Sequence, residues 1–379
     1  MRFSTFTGPA LPWLIAAFVL AAVLAFVLTP LVRRLAVHVD AVDHPEHRRV
    51  NLVPIPRGGG VAVAIAFIVV AVAFGVANGI ERFLPVPFAV DPAAVVALLL
   101  GGALAAAIGV LDDYFDLRAR WQLVGQLGLA LLAVWLGVVV EFIANPIGAG
   151  RITFEGPFAV GFTVLWIAGM INSINFIDGL DGLSSGVAFI AAITLGTISL
   201  TTQVAQPFIA VLCFALAGAL LGFLRWNFHP ATVFVGTSGV MFIGYALAVL
   251  AIPGTAKVAV ALLVLGVPII DAFWIIVRRL AQGRSPFTPD RGHLHHRLLD
   301  VGLSHRQTVV LIYAICGLLA ALSLLLTGPS QVIAFVAVFL AIGVFLYVLA
   351  RRGLGVPDPG DDPSDVPAVR EARAGSTRP

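Results

Sequence analysis

The chain has 379 residues, of which 60% are apolar and only 11% are charged, whereas a soluble domain usually has about 25% charged residues. This composition excludes a soluble enzyme. The formal net charge of +3 is too small and too scattered for a nucleic-acid-binding surface. The two cysteines, Cys213 and Cys316, lie inside apolar runs, where buried thiols are expected rather than a disulfide or a metal site.

Uncharged runs of Ala, Val, Leu, Ile and Phe follow one another along the chain. Runs of about 18 residues or more fit the apolar core of a bilayer, and the absence of strand-type alternation predicts helices rather than barrel strands. The predicted fold is therefore an all-α polytopic membrane protein with about 11 transmembrane helices. The predicted spans are residues 11–32, 59–80, 92–111, 123–140, 158–171, 184–201, 207–224, 238–252, 257–277, 308–327 and 331–350.

The connections between these spans predict the orientation. Basic residues divide 19 to 4 between the two sides, so the positive-inside rule puts the N-terminus outside and the C-terminus in the cytoplasm. Residues 1–352 are predicted to form one transmembrane domain, and the Pro- and charge-rich residues 353–379 a disordered cytoplasmic tail. The external connection 141–157, with a Pro-Ile-Gly centre between β-prone stretches, predicts a small hairpin.

Polar residues without basic charge are concentrated on the predicted cytoplasmic side. Asp112 and Asp113 end an apolar run, where adjacent carboxylates repel one another and lose hydration. Mg²⁺ resolves this repulsion, because it takes one or two carboxylates and completes its shell with waters and phosphate oxygens. A solvated loop is the alternative interpretation.

Segment 172–183 carries a second polar group. Four residues recur at every third position, namely Asn172, Asn175, Asp178 and Asp181. In a helical turn they would form one stripe, and no basic residue in the segment balances the two carboxylates. Gly179 and Gly182 would let a ligand or a backbone approach closely. A cation or a proton transfer accounts for this pattern, and a polar loop with Asp-Gly turns is the alternative.

Further candidates lie on the same side. Asn227 separates two apolar runs, and Arg291 precedes a cluster of three histidines at positions 293, 295 and 296. This cluster fits phosphate or nucleotide binding better than zinc, because the usual zinc-ligand spacing is missing. Carboxylates, amides, histidines and arginines at one membrane face are suited to phosphoryl transfer from a soluble nucleotide to a lipid phosphate.

Five runs in this order also resemble the polyprenyl-phosphate N-acetylhexosamine-1-phosphate transferases, over roughly residues 10–350. They are residues 43–59 (DHPEHRRVNLVPIPRGG), 111–117 (LDDYFDL), 172–183 (NSINFIDGLDGL), 227–231 (NFHPA) and 290–299 (DRGHLHHRLL). The resemblance implies Mg²⁺-dependent transfer of an N-acetylhexosamine 1-phosphate from a UDP-sugar to polyprenyl phosphate, with release of UMP; Mn²⁺ could substitute. The His-Leu-His-His-Arg form resembles the UDP-N-acetylglucosamine branch.

Site residues follow from the resemblance by motif position. The acidic pair would lie near the reacting phosphates, and the histidine motif would help to hold the donor. The implied catalytic residues are Asp112, Asp113 and Asp178, and the implied metal ligands are Asn175, Asp112 and Thr237. The implied substrate-binding residues are Arg49, Arg57, Asn172, Asp181, Asn227, Arg291, His293, His295 and His296.

One departure leaves an alternative open. Where the family usually has Gly-Asp-x-Gly-Ser, this chain has Gly236-Thr237-Ser238-Gly239-Val240, which removes a charge from the metal site. A catalytically impaired homologue with a binding or regulatory role is therefore the main alternative. A phospho-N-acetylmuramoyl-pentapeptide transferase and a transporter are weaker ones, and the only acidic residue inside a predicted span is Asp271.

Composition indicates where the protein works. Arginine outnumbers lysine 22 to 1, and Ala and Gly are abundant, as is typical of GC-rich bacterial genomes. The expected location is the bacterial plasma (inner) membrane, with undecaprenyl or decaprenyl phosphate as the acceptor. The expected partners are a UDP-N-acetylhexosamine, the polyprenyl phosphate and the bilayer, with no nucleic acid; a homodimer is compatible with the sequence.

Overall fold

The structure is a computed structural model of the chain. It describes residues 3–5, 7–43, 54–81, 92–145, 150–202, 204–253, 257–281, 283, 293–326 and 329–351. The helices of these residues are α1 (Thr7–His38), α2 (Gly60–Glu81), α3 (Pro92–Phe115), α4 (Ala119–Trp135), α5 (Gly156–Ile177), α6 (Leu183–Ser199), α7 (Pro207–Asn227), α8 (Gly236–Ala251), α9 (Lys257–Val264), α10 (Gly266–Ala281), α11 (Leu294–Asp300), α12 (His305–Leu325) and α13 (Pro329–Arg351). Two short antiparallel sheets pair β1 (Val42–Asp43) with β2 (Ile55–Pro56) and β3 (Phe142–Ala144) with β4 (Arg151–Thr153).

The helices confirm an all-α polytopic membrane protein. Within the described ranges, six helices are long and apolar enough to cross a membrane, and seven if α9 and α10, which meet at a bend of 70°, count as one span. Each predicted span overlaps a helix, and the segment 257–277 falls on this bent pair. The predicted tail, residues 353–379, lies outside the described residues.

Helix α1 has large and small side chains on opposite faces. Leu and Val side chains such as Leu20 and Val27 are exposed, whereas Ala17, Ala21 and Ala25 are fully buried. Exposed large apolar side chains with small residues at the helix contact are typical of helices that face lipid and pack closely with each other.

Helix α7 carries the matching small residues. A Cβ added at Gly218 would lie 2.0 Å from the Phe18 carbonyl oxygen, and one at Gly222 would lie 2.1 Å from that of Ala22. The two backbones therefore approach more closely than any residue larger than glycine would allow at these two positions. Gly218 and Gly222 are four residues apart, the spacing that brings small residues onto one helix face.

Helix α4 is shorter than the sequence predicted, and the connection that follows it is longer. The predicted span 123–140 is wrong at its end, because α4 stops at Trp135. Gly137 has φ +86°, and the amides of Gly137 and Val138 bond back to the carbonyls of Val134 and Ala133, which is the Schellman ending. The predicted hairpin in 141–157 is confirmed by the β3–β4 pairing.

Candidate active site

A cavity of about 320 Å³ opens where α3, α5 and α7 end and α8 begins. It is lined by Asp43, Arg57, Asp113, Asn175, Asp178, Gly179, Leu180, Asp181, Asn227, Phe234, Gly236, Thr237 and His296. Four of these residues are carboxylic acids and two carry basic side chains. The lining includes at least one residue from each of the five sequence runs that carry the family resemblance.

Asp113 is held at the beginning of α8. Its Oδ1 accepts from the Thr237 amide at 2.7 Å, and its Oδ2 accepts from the Ser238 amide at 3.0 Å. The first amides of a helix have no partner within the helix and favour an anion. This contact depends on close packing, because a Cβ at Gly109 would lie 2.2 Å from the Cα of Ser238. Asp113 is therefore fixed in the cavity before any ligand binds.

The segment after α5 is a turn rather than the continuous helical stripe suggested by the sequence. Helix α5 ends at Ile177, and Gly182 takes the left-handed conformation, φ +80°, before α6 begins. Asn175, Asp178 and Asp181 nevertheless all line the cavity. The turn therefore replaces the helical stripe and still brings both carboxylates of this segment, Asp178 and Asp181, to the same cavity.

The carboxyl group of Asp178 has a raised pKa. Burial raises the pKa of this carboxyl to about 7, and the nearby carboxylates of Asp113 and Asp181 raise it too, while a hydrogen bond from the Ser184 hydroxyl lowers it. A carboxyl with this pKa is only partly ionised at neutral pH. A bound cation would favour its ionised form.

Arg57 joins two carboxylates at the cavity wall. Its Nε donates to Asp43 Oδ1 at 2.6 Å, and its Nη1 donates to Asp116 Oδ1 at 2.9 Å. The β1–β2 pairing sets Asp43 opposite Ile55 and so brings it near Arg57. The side chain predicted to bind substrate is therefore already paired with two carboxylates.

The histidine motif packs against the turn after α5. Nε2 of His295 lies 2.2 Å from where a Cβ of Gly179 would be, so the group that approaches this glycine is a histidine side chain rather than a ligand or a backbone. Burial and the neighbouring histidines lower the pKa of His295 well below its usual value. His296 lines the cavity, so the motif reaches the site through its last histidine.

His293 has a structural contact instead. Its Nδ1 lies 2.8 Å from Asp271 Oδ2, and Asp271 Oδ1 accepts from the Leu294 amide at 2.8 Å. Asp271, the only acidic residue inside a predicted span, therefore joins α10 to the start of α11 through hydrogen bonds. Nothing in this contact calls for a transport pathway.

Some predicted residues lie elsewhere. Asp112 Oδ1 accepts from Gln122 Nε2 at 2.8 Å, and Asn172 Nδ2 donates to Gln126 Oε1 at 2.6 Å; neither residue lines the cavity. Adjacent helical residues point about 100° apart, so Asp112 and Asp113 cannot both face it. Arg49 and Arg291 lie outside the described residues.

Asn227 and Thr237 complete the lining. Asn227 is fixed by the Ser185 hydroxyl at 2.7 Å and by the Val233 carbonyl at 3.1 Å. Thr237 contributes its backbone amide to Asp113 and lines the cavity beside it. The neutral residue therefore occupies the wall at which the resemblance implies a carboxylate.

The oxygen donors of the cavity fit Mg²⁺. In the described part of the chain, the ion pairs that involve lining residues join Arg57 with Asp43 and Asp116, and His229 with Asp181, so Asp113 and Asp178 have no cationic partner there. Two close, buried carboxylates without a cation are unfavourable. A hard divalent cation would relieve this repulsion and accept their oxygens together with an amide oxygen.

Sequence reasoning missed several contributors. Asp43 lines the cavity, and the Ser184 hydroxyl bonds Asp178; neither was named as a site residue. Asp43 begins the same run that contains Arg57, and an Asp and an Arg at the two ends of one loop were an available signal. The role of Ser184 had no such signal, because an ordinary serine at a helix start gives no indication of its partner.

Comparison with known proteins identifies the family of the chain. The sequence profile described as "Glycosyl transferase family 4" matches residues 95–255. A Bacillus subtilis protein, "Probable undecaprenyl-phosphate N-acetylglucosaminyl 1-phosphate transferase", is 32% identical, over 89% of this chain and 91% of its own length. A Mycolicibacterium smegmatis protein, "Decaprenyl-phosphate N-acetylglucosaminephosphotransferase", is 35% identical, over 90% and 89%.

A more distant relative is the "Undecaprenyl-phosphate alpha-N-acetylglucosaminyl 1-phosphate transferase" of Yersinia pestis, which is 28% identical over 85% of each chain. The profile match covers nearly all of α3 and the whole of α4 to α8, which carry three of the five motifs. The chain belongs to glycosyl transferase family 4, within the polyprenyl-phosphate N-acetylglucosaminyl 1-phosphate transferases.

Proposed function

We propose that this chain transfers N-acetylglucosamine 1-phosphate from UDP-N-acetylglucosamine to a polyprenyl phosphate and releases UMP. The relatives carry the transferred group and the acceptor in their names. The single observation that supports the chemistry is the cavity in which Asp113 and Asp178 lie without a cationic partner among the described residues. Such a site suits two phosphate groups that react next to a divalent cation.

The cation is proposed to be Mg²⁺, with Mn²⁺ as a substitute. Asp113, Asp178 and Asn175 would hold it, and when bound it would neutralise charge on the donor diphosphate. Asp113, fixed by two helix amides, would keep its carboxylate in place as the phosphates arrive. His296 and Arg57, both at the cavity wall, would contact the donor phosphates.

The acid pair would also supply the base. The acceptor phosphate must lose its proton to attack the donor, and a carboxylate within hydrogen-bond reach can take it. We assign this step to Asp112 or Asp113, with Asp113 favoured because it lines the cavity. Asp112, the preceding residue on α3, accepts a hydrogen bond from Gln122 and does not line the cavity.

The membrane arrangement is part of the proposal. We infer eleven spans, an external N-terminus, a cytoplasmic C-terminus and a cytoplasmic site in the bacterial plasma membrane. The 19-to-4 division of basic residues supports this orientation. Residues 1–352 would form the transferase domain, and residues 353–379 would form a cytoplasmic tail that takes no part in the reaction.

A homodimer is also part of the proposal, and light scattering of the detergent-solubilised protein would test it.

Release of UMP tests the activity directly. Purified protein, polyprenyl phosphate and Mg²⁺ would be incubated with UDP-N-acetylglucosamine, UDP-N-acetylgalactosamine or UDP-glucose. UMP and a lipid-linked sugar diphosphate are expected with the first donor, and Asp178→Asn should remove both. Asp300→Asn, at an exposed acid outside the cavity lining, is the matched control. No UMP with any donor at any Mg²⁺ concentration would contradict the proposal.

One observation keeps the impaired homologue as a second candidate. Thr237 lines the cavity, and a neutral hydroxyl is a weaker ligand for a hard cation than a carboxylate. An impaired homologue would still bind the UDP-sugar. Donor binding by calorimetry without UMP release would therefore favour this candidate over the active enzyme.

A further inference from the structure

Three side chains from distant parts of the sequence meet beside the cavity. Asp181 lies in the turn between α5 and α6, His229 follows α7, and His305 begins α12. One carboxylate oxygen and one ring nitrogen from each histidine all lie within 4.8 Å of one another. The cluster is partly accessible, and Asp181 itself lines the cavity.

Two members of the cluster are already in contact. Nδ1 of His229 lies 2.7 Å from Asp181 Oδ2, and the amide of Ala231 donates to the same oxygen at 3.0 Å. The rings of His229 and His305 stack, with centroids 4.1 Å apart and planes at 20°. The side chains are therefore held together without a ligand.

His305 is the member whose polar atoms are unexplained. Both of its ring nitrogens are enclosed; the Asp181 backbone lies beside the ring, but neither nitrogen makes a hydrogen bond of normal geometry with it or with another residue that the structure describes. Enclosed polar nitrogens nearly always have a partner. The neighbouring guanidinium does not supply one, because Arg306 donates to the His229 carbonyl oxygen at 3.1 Å.

We propose that Asp181, His229 and His305 form a binding site for a transition-metal ion, with zinc as the best fit. Two imidazoles and one carboxylate are a common donor set for zinc, whereas Mg²⁺ prefers oxygen ligands. Tetrahedral zinc with bonds of about 2.0–2.2 Å sets its ligand atoms roughly 3.3–3.6 Å apart, so small side-chain rotations suffice. The site is distinct from the Asp113–Asp178 pair and goes beyond the transfer reaction.

The site would tie three segments together at the edge of the cavity. Three protein ligands leave one position of a tetrahedral ion open to water. A cross-link among the turn after α5, the segment after α7 and the start of α12 would hold the cavity wall in one arrangement. One of the two ring nitrogens of His305 would then be satisfied by the ion.

Metal content of the purified full-length chain tests the proposal. After chelator treatment, reloading with Zn²⁺ and gel filtration in detergent, about one zinc per chain should remain, and His229→Gln or His305→Gln should weaken zinc binding more than about 10-fold. His38→Gln, at an exposed histidine ending α1, is the control and should retain the zinc. Less than about 0.1 zinc per chain in the parent would overturn the proposal.

A spectroscopic measurement on the parent protein tests the site even if the histidine variants fail to fold. The X-ray absorption spectrum of the zinc-loaded chain should contain two imidazole ligands and light oxygen ligands, and Co²⁺ in place of zinc should give the strong visible bands of a near-tetrahedral site. An all-oxygen shell would overturn the site. Zinc that is lost in His296→Gln and retained in His305→Gln would move it to the histidine motif and equally overturn it.

Discussion

The backbone amide of Thr237 donates a 2.7 Å hydrogen bond to Asp113 Oδ1 across 124 positions of the sequence. The residue that stands where relatives are expected to have a carboxylate therefore contacts the cavity carboxylate through its backbone. The charge at the cavity wall depends on Asp113 and Asp178 together.

Asp113→Asn should lower UMP release more than about 100-fold, in the range that removal of a general base or metal ligand usually costs. An amide keeps the shape of the side chain but removes the charge that a cation or a proton needs. Turnover with UDP-N-acetylglucosamine would be measured beside Asp300→Asn. Near-normal turnover of the Asp113 variant would exclude it from both roles.

Asp112→Asn separates charge from packing. An asparagine oxygen can still accept from Gln122, which donates to Asp112 at 2.8 Å, so the fold should survive. Because Asp112 does not line the cavity, we expect a smaller loss of activity than at Asp113, about 10- to 100-fold, as is usual for a residue that supports a site from outside it. Thermal unfolding in detergent is the control measurement. Full activity would assign Asp112 a purely structural contact.

Thr237→Asp should lower the Mg²⁺ concentration needed for half-maximal activity by about 10- to 100-fold, because a charge-assisted contact contributes roughly 1.5–3 kcal/mol. UMP release would be titrated with Mg²⁺ for both proteins. Thr232→Asp is the matched control, since this exposed threonine lies on the same connection outside the cavity lining. An unchanged titration would mean that another residue serves as the ligand.

The raised pKa of Asp178 predicts that the Mg²⁺ concentration needed for activity depends on pH. Burial raises its pKa to about 7, and a cation binds only the ionised carboxylate. The Mg²⁺ requirement should therefore be nearly constant above about pH 7 and should rise by up to about 10-fold per pH unit below it. Mg²⁺ titrations between about pH 6 and pH 8 test this; a flat requirement would exclude Asp178 from the metal site.

The orientation is testable with a thiol reagent that does not cross membranes. Arg151→Cys, in β4, should be labelled from outside intact cells, and Arg118→Cys, before α4, should be spared. Both native side chains are exposed, and the native thiols Cys213 and Cys316 are buried, so background should be low. Labelling at position 118 would reverse the topology.

The α1–α7 contact predicts a stability effect. A leucine at Gly222 would drive its Cβ towards the Ala22 carbonyl oxygen, 2.1 Å away, so Gly222→Leu should destabilise the fold by about 3 kcal/mol or more. Thermal unfolding in detergent would measure it. Gly161→Leu, on α5 with open space around its Cβ position, should change little.

The sequence alone determined the fold class and the segments that carry the chemistry. Apolar runs long enough for a bilayer specify helices, because a chain in lipid must satisfy its own backbone hydrogen bonds. Asp113, Asn175, Asp178 and Asn227 were each identified from their own motifs, and each of them lines the cavity. These features follow from local composition and spacing, which can be read along the chain.

The tertiary structure decided which of these residues meet. Asp113 faces the cavity and Asp112 does not, because helix rotation and the close contact of Gly109 with Ser238 fix the face that α3 presents. The meeting of Asp181 with His305 depends on α12 packing beside α6. Such contacts join residues more than a hundred positions apart, so no local pattern encodes them; the packing of helix against helix does.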